Sequence, residues 1–175
     1  MMIDLRSTVG TDGTVDAEGL RAAFGQFPSG VTAVCALDGD TPLGIAASSF
    51  VGVSMDPPLV GVCVQHTSTT WPRLRELPRF GLSVLSDTQD AACRRLAAKT
   101  GDRFAGLTRH HTDEGALFLE GATAWLDCAI ERTILAGDHD LVLFRVHRQC
   151  VYPDHTPLVF HASGFHALVG LEPES

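Results

Sequence analysis

Short apolar segments separated by turn residues recur along this chain and predict most of its strands. Residues 31–37 and 80–85 are predicted strands, and residues 59–64 form a continuous apolar strand. Residues 44–49 form a strand of small residues, and a turn at Asp56-Pro57-Pro58 leads from it into the run at 59–64. Further strands are predicted at 139–151, 158–161 and 165–168.

Residues 124–135 alternate between apolar and polar positions. Leu126, Cys128 and Ile130 share one face of the segment. Asp127 and Glu131 lie on the opposite face. This alternation predicts a half-buried antiparallel strand whose outer, solvated side carries the two carboxylates.

Helical spacing occurs in three short segments. Asp16 suits the N-cap position of a helix over 17–26, whose apolar residues follow the i, i+3, i+4, i+7 spacing of one face (Leu20, Ala23, Phe24 and Phe27). Pro72 begins a second helix over 72–77, and Ser86-Asp87 cap a third over 88–98. Residues 101–120 predict a loop.

The order of these elements indicates the fold class. Strands mostly follow strands through tight turns and do not alternate regularly with helices. Seven or eight strands with two or three short helices favour a mainly β, antiparallel barrel with peripheral helices. We expect one domain over residues 16–170, preceded by a flexible tail over 1–15.

Composition narrows the possible functions. The 175 residues carry a net charge of −8, which argues against a nucleic-acid binder or a protein of anionic membranes. No apolar run is long enough to span a membrane and the start has no signal core, so we expect a cytoplasmic protein. The five cysteines are scattered without a CxxC pair, which indicates neither a disulfide framework nor a structural zinc site.

Several common catalytic motifs are absent from the sequence. It contains no GxGxxG, no Walker A loop, no HExxH and no GxSxG. The adjacent His110 and His111 would point in opposite directions on an extended chain, so we interpret them as a loop pair and expect no metal. The chemistry of the protein is therefore expected to belong to an organic cofactor.

Residues 42–71 carry the main functional signal. Small residues at 44–49 let a flat ligand approach the backbone closely. The hydroxyl cluster Thr67-Ser68-Thr69-Thr70 precedes the helix that begins at Pro72, and such a helix start attracts anions. A planar body with a phosphate tail describes a flavin nucleotide; an ordinary hairpin with a polar turn is the alternative.

At the level of the whole chain, the sequence resembles the short-chain flavin reductases that supply reduced flavin to two-component monooxygenases. The resemblance covers residues 17–168, and the order and spacing of its segments make it specific. The segments are LRAAFGQFPSGVT (20–32), GIAASSF (44–50), VSMDPPLV (53–60), STTW (68–71), RFGLSVL (79–85), GDRFAG (101–106), GDH (137–139) and PLVFH (157–161).

This resemblance implies a fold, a reaction and an assembly. The fold is the FMN-binding, Greek-key split β-barrel, and the assembly is a homodimer. NADH or NADPH would reduce FMN or FAD, and the reduced flavin would pass to a partner monooxygenase. The chain departs from the family pattern at Ala46, where the family often has Thr, and at Phe144, where it commonly has Gly.

The resemblance also implies site residues. Those expected around the flavin ring and ribityl chain are Pro42, Leu43, Gly44, Ile45, Ala46, Ala47, Ser48 and Ser49 on one strand, Cys63, Val64 and Gln65 on the next, and Ser54. Those expected at the phosphate are Thr69, Thr70, Trp71 and Arg95. Those expected at the nicotinamide nucleotide are His139, as the catalytic residue, with His161, Ala162, Ser163 and Gly164.

Two hypotheses and two alternatives follow. His139 either positions the nicotinamide or only caps the Gly-Asp turn by hydrogen bonding. With one candidate arginine at the phosphate, the flavin is expected to behave as a diffusible substrate. The alternatives are a split-barrel flavoprotein that keeps its flavin and reduces an oxime, imine or quinone, and a flavin- or haem-binding module that is not an enzyme.

Overall fold

In the computed structural model, which describes residues 8–171, most of the chain is β-structure with three short helices. The helices are α1 (Ala17–Phe24), α2 (Trp71–Leu74) and α3 (Asp90–Ala97). The strands are β1 (Ser29–Gly30), β2 (Thr32–Asp38), β3 (Thr41–Ala47), β4 (Val51–Met55), β5 (Pro58–Gln65), β6 (Phe80–Val84), β7 (Arg109–His111), β8 (Leu117–Leu119), β9 (Ala124–Ala136), β10 (His139–Val151), β11 (Leu158–His161) and β12 (Gly164–Ala167).

The main sheet has seven strands in the order β3-β2-β6-β9-β10-β5-β4. All strand pairs described are antiparallel. A three-stranded sheet, β1-β11-β12, and the β7-β8 hairpin lie beside it. The predicted mainly β, antiparallel fold is therefore confirmed. Of the helices described, none is long and apolar enough to cross a membrane.

The amino-terminal helix forms as predicted, but its apolar face is not covered. The Asp16 side chain accepts a hydrogen bond from the Gly19 amide at 2.8 Å, which caps α1. Phe24 and the following Phe27 are 72 % and 77 % exposed, so the described part of the chain leaves much of this face uncovered. The first seven residues of the predicted tail lie outside the described part of the chain, and residues 8–15 form a turn closed by a Val9–Val15 bridge.

Other boundaries differ because distant contacts decide them. The predicted loop over 101–120 contains the β7-β8 hairpin, whose Leu119 amide donates to Ser83 Oγ at 3.0 Å. This hairpin packs so closely on β6 that a Cβ on Gly81 would collide with the Leu117 backbone. Strand β4 was not predicted as a separate strand. Helix α3 begins at Asp90, two residues later than predicted. Ser86 does not cap the helix; instead the Ser86 amide donates a hydrogen bond to Gln89 Oε1.

Strand β9 has the predicted orientation, with Leu126, Cys128 and Ile130 packed in or against the apolar core, but its opposite face is not solvated at Asp127. The strand pattern places its carboxylate on the solvated face, yet the residue is only 3 % exposed. Arg79 and Arg148 each approach it to 2.6 Å. Two guanidinium groups supply the opposite charge that a buried carboxylate needs, and no sequence spacing shows that they meet there.

Strand β2 and the residue before it separate two apolar clusters. Val34 and Ala36 face the cluster inside the barrel, whereas Val31 and Cys35 face a second cluster under α3 and β8. The predicted strand is thus buried on both faces here. Burial raises the pKa of the Cys35 thiol to about 12, so this cysteine stays protonated and acts as a small apolar residue.

Gly44 of β3 leaves a gap that the second cluster fills. A Cβ at this position would lie 2.6 Å from Cys35 Sγ and 2.8 Å from Phe104 Cζ. Both distances are shorter than any ordinary carbon contact, so the ring of Phe104 lies directly over bare backbone. This packing attaches the segment after α3 to the sheet.

We predict that Gly44→Ala destabilises the fold by about 1–3 kcal/mol, the usual cost of overpacking a filled core. Chemical denaturation measures the loss. Gly52→Ala is the matched control, because a Cβ on this other strand glycine meets nothing within 4 Å. Equal denaturation midpoints for the two variants would contradict the proposed role of Gly44.

Candidate functional site

A cavity of about 530 Å³ opens where the ends of β3 and β5 face α3 and the segment that follows it. Its lining consists of small apolar side chains, hydroxyls and two cations. The residues are Ile45, Ala46, Ala47, Ser48, Ser49, Cys63, Val64, Gln65, Thr67, Ser68, Thr69, Leu96, Ala97, Lys99, Arg103 and His139. This volume is that of a typical small-molecule site.

The structure brings many of the sequence-predicted residues together at this cavity. These are the small-residue segment 45–49, the end of β5 at Cys63, Val64 and Gln65, Thr69 of the hydroxyl loop, and His139. Strand β3 is at one end of the seven-stranded sheet. Alternate N–H and C=O groups of such an edge strand point away from its neighbour, so they are available to a ligand.

Other predicted residues lie elsewhere. Leu43 packs against the cluster inside the barrel, and Pro42 pairs with Leu37 in the β2-β3 ladder. Gly44 faces Phe104, and its lack of a side chain leaves room for that ring. Ser54 lies on β4, outside the cavity lining.

Trp71 is part of the barrel core and does not line the cavity. It is buried with Leu74 and Val64, and its indole Nε1 has no hydrogen-bond partner among the described residues. The structure therefore places Trp71, which was expected at the phosphate, in the core and away from the cavity surface. Trp125 also packs within the protein, where its Nε1 donates to the Leu119 carbonyl at 2.8 Å.

The Ser49 hydroxyl connects the two walls of the cavity. It donates to the Cys63 carbonyl at 3.0 Å and accepts from the Cys63 amide at 2.9 Å. Both hydrogen bonds join the segment just after β3 to β5. The hydroxyl expected to contact a ligand thus fixes the spacing of the walls.

The start of α2 is not a free anion site, in contrast to the sequence expectation. The Trp71 amide donates to Ser68 Oγ at 3.2 Å, and position 72 is a proline without an N–H. The amides of Arg73 and Leu74 both donate to the Thr70 carbonyl. The first turn therefore uses its own donors, and positive charge at the cavity comes from side chains.

Arg103 and Lys99 provide that charge, and the sequence analysis assigned neither. Arg103 Nη1 donates to the Gly44 carbonyl at 3.3 Å and to Thr70 Oγ1, which holds the guanidinium between β3 and the hydroxyl loop. Lys99 is the only lysine of the chain. Arg103 belongs to the segment GDRFAG, which carries part of the family resemblance and is the sequence signal for this residue.

Arg95, the cation expected at the phosphate, is directed elsewhere. Its Nη1 donates to the Ala105 carbonyl, and its side chain lines a separate cavity of about 440 Å³ with Gln89 and Glu120. Successive residues of a helix are about 100° apart, so Arg95 and the cavity-lining Leu96 and Ala97 lie on different faces of α3. Of these two arginines, Arg103 lines the large cavity and Arg95 lines the separate one.

His139 lies at the mouth of the cavity, at the first position of β10 and opposite Gln65 of β5. Its Nδ1 is 2.7 Å from Asp138 Oδ1. This hydrogen bond holds the pKa of Asp138 below its usual value. With Nδ1 donating to the carboxylate, Nε2 is the acceptor of the neutral ring, so the turn itself orients the imidazole.

The predicted nicotinamide-nucleotide residues at 161–164 lie in the turn between β11 and β12. Ser163 lines a smaller cavity of about 240 Å³, which adjoins the large one. His161 packs edge-on against His166, with ring centroids 5.9 Å apart. Ala162 and Ser163 have φ of 46° and 65°, a left-handed conformation that non-glycine residues seldom adopt.

These features define a class of protein. A wall of small side chains and edge backbone accepts a flat ring, hydroxyls and two cations accept an anionic tail, and an oriented histidine lies at the mouth. The site is therefore that of a β-protein suited to a nucleotide with a planar ring system.

Comparison with known proteins agrees with this class. The flavin reductase like domain matches residues 24–169. A flavin reductase of Pseudomonas putida is 39 % identical over 152 residues, covering 86 % of this chain and 89 % of the relative. The reductase subunit HsaB of a flavin-dependent monooxygenase from Rhodococcus jostii is 33 % identical over 173 residues, covering 96 % and 87 %.

A solved structure gives the same result. The NADH:FAD oxidoreductase SgcE6 of Streptomyces globisporus, in complex with NAD and FAD fragments, superimposes with a TM-score of 0.82. It is 35 % identical, and the match covers 97 % of this chain and 99 % of that one. The chain belongs to the flavin reductase-like domain family.

Proposed function

We propose that this chain is an NAD(P)H-dependent flavin reductase that supplies reduced FMN or FAD to a partner monooxygenase. One observation carries the proposal. The 530 Å³ cavity joins a small-residue wall, a cationic end and an oriented histidine in one space. The names of the relatives support it, since they include flavin reductases and a reductase subunit of a flavin-dependent monooxygenase.

The residues present fit a flavin ring. Ala46, Ala47 and Ser48 leave room for a flat group against the strand, and the end of β5 forms the facing wall. Hydride transfer from the nicotinamide to the flavin is chemistry that the two nucleotides supply, without a protein nucleophile or metal. With both nucleotides bound, the two walls would hold the rings in register, and the outward-facing amides among residues 46–49 would stabilise the negative charge of a reduced ring.

The cationic end fits the flavin phosphate. Thr69 and Ser68 bring hydroxyls, and Lys99 and Arg103 bring the permanent charges among the described lining residues. Arg103 is already held by Gly44 and Thr70, so little side-chain freedom is lost when it binds an anion. The cavity is open and its hydroxyls are partly exposed, which supports a flavin that exchanges with solution.

The direct test is an absorbance assay of nicotinamide oxidation. We expect the purified protein to be colourless and to oxidise NADH or NADPH in proportion to added FMN or FAD, because its flavin is a diffusible substrate. A yellow protein that keeps its flavin and oxidises the nucleotide only with a quinone or imine added would support the retained-flavin alternative. Flavin binding without any nucleotide oxidation would show a non-enzymatic module.

A second prediction concerns the phosphate. Lys99→Ala and Arg103→Ala should each raise the KM for FMN about 10-fold or more, because a hydrogen bond to a charged group contributes about 1.5–3 kcal/mol. The KM for riboflavin, which lacks the phosphate, should change little in either variant. Equal losses with FMN and riboflavin would show that these side chains act on the fold and not on the phosphate.

A third prediction concerns His139. We propose that the ring positions the nicotinamide, so His139→Ala should lower kcat/KM for the nicotinamide nucleotide about 10-fold, the effect of losing one hydrogen bond of about 1.4 kcal/mol. The KM for flavin should change less. His147→Ala is the control, because this histidine is exposed on the same strand and outside the cavity. Unchanged kinetics would leave His139 only its turn-capping role.

The same proposal includes assembly and location. Exposed apolar side chains on α1 and on the edge strand β4, which include Phe24, Val53 and Met55, support a homodimer, since such surfaces mark protein interfaces. Light scattering at twice the chain mass would demonstrate it, and a monomer would contradict it. All five cysteines are unpaired, which supports the cytoplasm as the working compartment and is tested by cell fractionation.

A further inference from the structure

Residues 101–106 follow α3 as a series of turns without a helix or strand of their own. Gly101 and Gly106 stand at the two ends, with left-handed φ of 89° and 70°. Within the segment, the Asp102 carboxylate accepts a hydrogen bond from the Phe104 amide at 2.9 Å. These local features shape the segment, but its position relative to the sheet depends on contacts with other elements.

The segment is attached to other elements in two ways. Phe104 packs over Gly44, which holds the middle of the segment against β3. Arg95, near the end of α3, donates from Nη1 to the carbonyl of Ala105, ten residues later in the chain. This hydrogen bond joins α3 to the segment immediately after Phe104.

The Arg95 guanidinium also lies beside the turn that ends the segment. A Cβ on Gly106 would be 3.4 Å from Arg95 Nη1, and both residues line the separate cavity of about 440 Å³. Arg95 therefore contacts the segment from outside the large cavity. Arg103 extends from the same segment into the large cavity.

We infer that Arg95 is a positioning residue that acts on the flavin phosphate through Arg103. The inference rests on the proposed function, in which Arg103 binds that phosphate. Arg103 lies two residues before Ala105 in the chain, and its guanidinium reaches the Gly44 carbonyl at 3.3 Å and also Thr70 Oγ1. Without the bond from Arg95, the segment is free to shift, so Arg103 has to be ordered when the phosphate binds. Ordering a side chain on binding lowers affinity compared with a side chain that is already held.

A direct contact between Arg95 and the phosphate is the competing explanation, and combined variants separate the two. If Arg95 acts only through Arg103, its replacement has no further effect once Arg103 is absent. If Arg95 binds the phosphate itself, the losses from the two replacements multiply.

Titration of flavin fluorescence measures the Kd for FMN and for riboflavin without any nicotinamide nucleotide. Arg95→Met keeps the aliphatic stem and removes the donors. It should raise the Kd for FMN about fivefold, the scale of one hydrogen bond, and leave the Kd for riboflavin unchanged. In the Arg103→Ala background the same replacement should change the Kd for FMN by no more than about twofold. Arg145→Met is the control, since this arginine pairs with Glu131 outside both cavities.

Three results would overturn the inference. A fivefold loss that persists in the Arg103→Ala background would show that Arg95 contacts the flavin itself. An unchanged Kd for FMN in Arg95→Met would show that the hydrogen bond to Ala105 does not position Arg103, and an equal loss with riboflavin would show an effect on the fold. A wild-type protein that binds FMN but oxidises neither NADH nor NADPH would refute the proposed function itself, and the binding titration would still decide the role of Arg95.

Discussion

The contact between Phe104 and the bare backbone of Gly44 is the constraint on which the site depends. Phe104 occupies space that any side chain at position 44 would fill, and it attaches the segment after α3 to strand β3. The neighbouring Arg103 is thereby held between the Gly44 carbonyl and Thr70. The absence of a Cβ at position 44 thus links the packing of the core to the position of the Arg103 charge in the cavity.

Features that depend on local sequence could be predicted. The small-residue wall at 45–49, the hydroxyl loop and the turn that carries His139 are each contained in a few consecutive residues, and the structure places them at one cavity. The antiparallel fold followed from strands joined by short turns. These features required only periodicity, turn chemistry and a resemblance spread along the chain.

Features that depend on distant contacts could not be predicted from the sequence. Arg95 and Arg103 lie close together in the sequence. The rotation of α3 about its axis and the packing of Phe104 decide which of the two lines the cavity. Asp127 reads as a surface residue until Arg79 and Arg148 meet it from other segments. The β7-β8 hairpin is likewise held by its contact with β6 and not by its own sequence.

The single lysine has a practical consequence. An acidic chain of net charge −8 carries only one side-chain amine, and that amine borders the cavity. Reagents that acylate or crosslink amines will therefore modify one side chain, that of Lys99, and a ligand bound in the cavity will shield it. The extent of modification at Lys99 thus reports how much of the protein has a ligand in the cavity.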